Sequence, residues 1–303
     1  MSTSTGMNTT TLRVKTPPGF RVDAAALRPA ALAGMSVAEI ERIVLPAGNE
    51  RCVVGDVFEV LRDEAAEGIS EELPERMPAK APVSPARCDG HAPTLVIDGA
   101  AQWLDRLGAE MDGGCLVVHG PAGDYCGFRM SGGMLRIDGH AGHFTGCEMR
   151  GGRLTVHGDS GDFAAGALTG DMEGMSGGTL TIHGNAGARL ADRMRRGLVL
   201  VGGNAGEFAA SRLVAGTIAV AGALGPHYAY GMRRGTLLLA RRPAHLPATF
   251  ADGGHGFDVF WSLLVRSLAD EIAPFSQWRA DRLPVRYAGD LAVDGRGEIL
   301  IAG

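Results

Sequence analysis

Hydrophobic positions recur through the middle of this chain in short alternating runs, and the runs return every 19 residues. Aligned on a leading methionine, the units begin at Met111, Met130, Met149, Met175, Met194, Leu213 and Met232, with one longer step of 26 residues after Met149. The sixth and eighth positions of each unit are Leu, Ile or Val, as in Leu116 and Val118, Leu135 and Ile137, or Leu154 and Val156. Apolar residues at a period of two, bounded by glycine, mark a strand between turns. Units this small cannot bury a core alone, so successive units must stack. The pattern predicts an all-β repeat, a parallel β-helix of about seven 19-residue coils flanked by an N-terminal segment and a C-terminal α-helix.

Glycine punctuates the units in register. It holds the fourth position throughout (Gly114, Gly133, Gly152 and onward). It also holds the tenth (Gly120, Gly139, Gly158) and thirteenth (Gly123, Gly142, Gly161) positions of the first six units. Corners of a coil demand positive φ or very close backbone approach, and glycine accepts both. These positions are read as structural. The leading methionines form a second interior column, where a flexible thioether fills a bend. A hexapeptide coil does not divide into 19, and the glycine–aspartate pattern of calcium-binding nonapeptide coils is absent.

The flanks read differently. Met1 to Arg13 is a Ser/Thr-rich polar run without an apolar signal core and reads as a disordered lead-in. Residues 14–91 form a mixed segment and linker. Within it Ser36 and Glu39 make a capping box for a short helix through Ile43, and Arg51 to Val60 reads as strand, bend, strand. The stretch 64–91, rich in Pro, Glu and Ala, reads as a linker or surface arm. The coils occupy 92–250, opening on a degenerate one at Thr94 to Ile97. Residues 251–303 hold an amphipathic helix over 257–272, with Phe257, Phe260, Trp261, Leu264, Leu268 and Ile272 on one face. A hairpin follows around Asp294 to Gly297.

Two structural expectations follow from repeat phase. Outward strand positions are polar in early coils (Arg136, Asp138, Thr155) but apolar in late ones (Leu198, Leu200, Leu238). An apolar sheet face needs a cover, and the helix next in sequence is predicted to supply it. The longer step places seven extra residues near Ala165 to Asp171. They are predicted to leave the coil as a loop that contacts a partner subunit.

Composition narrows the chemistry. A net charge of −5 excludes bulk attraction to nucleic acid, no hydrophobic run is long enough to span a membrane, and a cytoplasmic location is expected. Five cysteines without CxxC spacing read as reduced thiols rather than as disulfides or a metal site. No nucleophile elbow, phosphate-binding loop, HExxH or dinucleotide fingerprint occurs, so no catalytic residue is assigned. The ninth-position column His119, Asp138, His157, His183 stacks on one outer edge. Imidazoles on adjacent rungs come within chelating reach, but ladders of like side chains are ordinary in stacked coils, and no metal is assigned.

The charge is unevenly spread. Residues 189–242 carry nine arginines against Asp192 and Glu207, a local +7. Arg193 and Arg212 share the last position of adjacent units, while Arg195-Arg196 and Arg233-Arg234 share the second and third positions two units apart. All six are expected along one edge, over about three rungs of 4.8 Å. Arginines held that close favour an anion: an acidic partner surface or the carboxylates of a ligand.

Repeats of the form G-x5-G-x2-G with hydrophobic strands resemble the GXGXG β-helix of the glutamate synthase large subunit and of the C-type subunit of formylmethanofuran dehydrogenases. The flanks resemble the latter: Gly48-Asn49-Glu50 leading into Val54-Gly55-Asp56-Val57-Phe58, and Arg286 to Leu291 followed by Gly295 to Leu300. The likeness covers roughly residues 36–303. It implies a right-handed coil and a non-catalytic scaffold with no dedicated cofactor site. Only Lys15 and Lys80 are lysine among 29 basic residues, an arginine bias that suits a GC-rich bacterium. That favours the bacterial relative, the formyltransferase/hydrolase complex, which releases formate from a formylated furan carrier (methanofuran or methylofuran). A redox formylmethanofuran dehydrogenase is the alternative. The implied partners are a metallohydrolase-type subunit, a formyltransferase and a dehydrogenase-B-like subunit. The furan carrier's anionic glutamyl tail is a candidate ligand for the arginine stripe. The competing classes are a carbohydrate-active β-helix enzyme, for which the coils offer no convincing acidic pair, and an autonomous structural β-helix.

Overall fold

Each 19-residue step of the repeat returns the chain beside its predecessor. In the computed structural model, which describes residues 9–48, 50–62, 92–254 and 256–302, strands Cys115–His119, Met134–Ile137, Arg153–Val156, Thr179–Ile182, Leu198–Val201, Thr217–Val220 and Thr236–Leu239 pair in parallel and in sequence order. Register follows the repeat, with Leu116, Leu135, Leu154, Leu180, Val199, Ile218 and Leu237 aligned and fully buried. A second line of parallel bridges runs Ala141, Ser160, Ala186, Ala205, Leu224 on another side of the winding. The fold is thus mostly β, dominated by one large, largely parallel sheet, an arrangement consistent with a β-helix. All six leading methionines are buried, as the period required.

The glycine columns divide by cause. Fourth-position glycines take positive φ; Gly152 sits at +77°, and a Cβ there would lie 2.8 Å from the Gly133 carbonyl oxygen. Glycines of the tenth and thirteenth columns serve close approach: a Cβ on Gly139 would meet the Pro121 nitrogen at 2.5 Å. Backbone hydrogen bonds link that column from rung to rung, as from Gly158 N–H to Gly139 C=O at 2.9 Å.

Both ends of the ladder are closed by non-repeat strands. Thr94–Asp98 precedes the regular units, and Thr9–Val14 pairs with it in parallel. Phe58–Arg62 then adds antiparallel on the outside. Residues 9–13 are therefore an ordered strand with Leu12 in the core, and not a lead-in; residues 1–8 lie outside the described residues. Threonines at the strand's edge hid a segment whose partner lies 85 residues away. The expected linker 64–91 falls wholly outside the described residues. The Ser36–Glu39 capping box forms, heading a helix at Val37–Glu41. At the far end Gly297–Ile301 continues the parallel ladder and Val285–Gly289 folds back on it, so the hairpin forms through a seven-residue connection, 290–296.

Helix Asp258–Ser267 covers the late coils. Trp261, Phe257 and Leu268 are buried against Leu200, Ala219 and Leu238, with Leu198 and Leu264 packed alongside. Phe260, placed on the buried face by the sequence pattern, is 40% exposed. It stands about 100° around the helix from Trp261, outside the stripe made by 257, 261, 264 and 268. The polar early coils meet a polar group instead: Arg153 donates two hydrogen bonds of 3.0 Å to Glu271, just beyond the helix. Among the cysteines, Cys52, Cys126 and Cys147 are free and buried, and burial pushes Cys126 and Cys147 up to about 12. Cys115 is disulfide-bonded, against the reading of all cysteines as reduced thiols.

Candidate carboxylate-binding groove

The last residue of a unit and the second residue of the next stand on either side of one corner, so arginines there project together. Arg193, Arg195, Arg212 and Arg233 line a groove of about 550 Å³, walled opposite by Met172, Glu173 and the Asp290–Val293 connection. Arg196 and Arg234 are exposed but do not line it. The predicted stripe of six is thus a groove of four with two outliers.

Half of its charge is already balanced within the chain. Asp192, buried beneath, accepts from Arg212 at 2.6 and 3.0 Å and from the Ser211 hydroxyl at 2.5 Å. The insertion supplies the second carboxylate. Its tip is Thr169–Glu173, whereas Ala165 and Ala167, included in the predicted loop, are buried in the coil. The tip lies over the stripe, the Asp171 carbonyl accepting from Arg193 and the Glu173 carboxylate pairing with Arg195. Among the described residues, Arg233, Arg196 and Arg234 make no ion pair. The loop was expected to reach a partner; in the folded chain it first reaches these arginines.

Comparison with known proteins locates this architecture. A family model described as GXGXG motif matches residues 116–250. The crystal structure of the formyltransferase/hydrolase complex (FhcABCD) from Methylorubrum extorquens, in complex with methylofuran, contains a chain of the same fold. Its TM-score is 0.81 at 37% identity, covering 97% of this chain and 99% of that one. The chain belongs to the GXGXG family of formyltransferase/hydrolase complex subunits. A comparison with curated proteins returned no match. Among the described residues, no helix of this family member is long and apolar enough to cross a membrane.

The histidine column of this GXGXG protein is a hydrogen-bonded ladder. Asp138 receives His119 Nδ1 at 2.9 Å and His157 Nδ1 at 3.0 Å, and His183 stacks on His157 with ring centroids 4.9 Å apart. Among the described residues, no group of three or more His, Cys, Asp or Glu has an arrangement that could hold a metal. Burial pushes the Asp138 carboxyl up, but hydrogen bonds from Arg136, His119 and His157 and the charge of Arg136 outweigh it and hold Asp138 below its ordinary pKa. Burial and the neighbouring His157 both lower His183. The unfolded chain therefore binds a proton at His183 that the folded chain refuses. Stability should fall as pH drops below about 6.5, and His183→Gln should flatten that slope. Urea denaturation of both proteins between pH 7.5 and 5.5 checks this.

One column escaped the sequence reading. The fifteenth positions Tyr125, Phe144, Phe163, Arg189 and Phe208 all adopt positive φ and stack: Tyr125 on Phe144 at 4.8 Å, Phe144 on Phe163 at 4.9 Å. Arg189 bridges Phe163 and Phe208 at 5.8 and 4.8 Å from their centroids. The 19-residue recurrence of aromatics was present in the sequence to be found.

Proposed function

We propose that this chain is the C-type subunit, the non-catalytic scaffold, of a formyltransferase/hydrolase complex that releases formate from a formylated furan carrier in the cytoplasm. The observation that carries the reading is the end-to-end match to a chain of such a complex, which leaves almost no part of either chain unaccounted for. A right-handed β-helix of about seven coils belongs to the same proposal, as do a metallohydrolase-type subunit, a formyltransferase and a dehydrogenase-B-like subunit as partners. A long rigid solenoid presents several faces at fixed spacing, which suits an assembly role. The furan carrier belongs to the complex rather than to a dedicated site in this chain, and the arginine groove is this chain's surface for carboxylates, whether of a partner or of the carrier's tail.

Reconstitution tests the role. With this chain, the remaining subunits should form a stable complex that releases formate. Without it, assembly should fail; equal assembly in its absence would remove the scaffold role. The carrier's tail is tested separately. If it reaches the groove, charge reversal at Arg195, Arg196 and Arg233 raises the apparent KM for a carrier with its glutamyl tail and not for a truncated one.

A further inference from the structure

Beside the arginine groove lies a second cavity of about 520 Å³, walled by Pro226, Tyr228, Pro243, Leu246 and Pro247. The two share Tyr230, Asp290 and Ala292. That wall is built to stay in place: the buried Asp290 carboxylate accepts Gly231 N–H at 2.9 Å and Ala292 N–H at 3.0 Å. Tyr228 is likewise fixed, donating to the His245 carbonyl at 2.6 Å. One side of the wall offers cations and the other offers rings and aliphatic carbon.

We propose that the two cavities form one cleft that docks an acidic segment of a partner protein through an apolar or aromatic anchor residue. The proposal rests on the assembly role above and names the partner chemistry of its groove. Three observations support it. First, the chain's own insertion shows that these arginines take acceptors from an acidic segment, since Asp171-Met172-Glu173 lays a carbonyl on Arg193, a thioether 3.6 Å from the same arginine, and a carboxylate on Arg195. Second, Arg233 remains without an ion pair among the described residues, as do its sequence neighbour Arg234 and Arg196, so cationic capacity is left for an external carboxylate. Third, the rim is apolar: Met172 is 74% exposed, Tyr230 63% and Val293 43%. Arginine, tyrosine and methionine gathered at one cleft is the composition of a protein interface, with a pocket-bound anchor carrying much of the affinity. A small polyanion would use the arginines and leave the apolar rim and cavity unsatisfied.

Photo-crosslinking in the native complex tests this. With p-benzoylphenylalanine replacing the exposed Tyr230, irradiation should join the chain to an acidic stretch of a partner protein. Arg233→Glu should lower the amount of partner retained at least tenfold while the isolated chain keeps its urea midpoint. If that midpoint falls, Tyr230→Ser should give the same loss of partner from a folded chain. Cross-linking only to the furan carrier, no cross-link in an intact complex, or undiminished retention would each overturn the inference alone. Failure of the unmodified chain to co-purify with any other subunit would remove the proposed function as well.

Discussion

Gly152→Ala is expected to destabilise the isolated chain by about 2–5 kcal/mol. Gly152 holds φ at +77°, and an added Cβ would lie 2.8 Å from the Gly133 carbonyl oxygen and 2.9 Å from the Gly132 carbonyl carbon. Both contacts are backbone of the preceding coil, fixed by its own ladder hydrogen bonds, so relief requires moving a rung. The methyl of Met130 at 2.7 Å can swing aside; the backbone cannot. Gly170→Ala is the control. It also has positive φ, +98°, but nothing lies within 4 Å of a Cβ, and it sits on the exposed insertion. Its cost should stay at about 1–2 kcal/mol, that of the backbone conformation alone. Urea midpoints of the two variants measure the difference; equal losses would show that rung spacing is not what glycine protects.

Trp261→Ala is expected to cost about 3–5 kcal/mol. Trp261 is 1% exposed, packs on Leu200, Ala219 and Leu238, and stands 5.6 Å from Trp278. Its indole N–H donates to the Arg279 carbonyl at 3.2 Å, so truncation opens a cavity and leaves that carbonyl short of a partner. Phe260→Ala, one residue away on the exposed face, should change stability by less than about 1 kcal/mol. Tryptophan fluorescence and circular dichroism during urea denaturation separate helix undocking from loss of the sheet. Similar effects from both substitutions would mean that the helix is not held by the stripe described.

These two sites show how far the repeat carries from sequence to structure. Periodicity made the strand register, the methionine column and the apolar late face legible, because a residue's place in the 19-residue unit determines its side of the coil. Phase also predicted the helix cover, although Phe260 fell outside the packed stripe. What phase cannot report is contact between distant segments. Residues 9–13 read as part of a polar lead-in because the partner of their strand is supplied by Thr94–Asp98. Of the six arginines expected along one edge, Arg193, Arg195, Arg212 and Arg233 line one groove and Arg196 and Arg234 do not, and the partners of the four were not legible. Asp192 turns inward beneath Arg212, and Glu173 arrives on an insertion whose path follows from tertiary packing. The apolar cavity was invisible for the same reason, since its prolines come from a corner at 226 and a segment at 243–247.

Membership of a formyltransferase/hydrolase complex is tested most directly by native mass spectrometry of the affinity-tagged chain purified from its host at low salt. The account predicts a stable hetero-oligomer containing this chain together with formyltransferase and hydrolase-type subunits. A chain that emerges alone, while a formate-releasing complex of the same cells is isolated intact without it, would contradict the account.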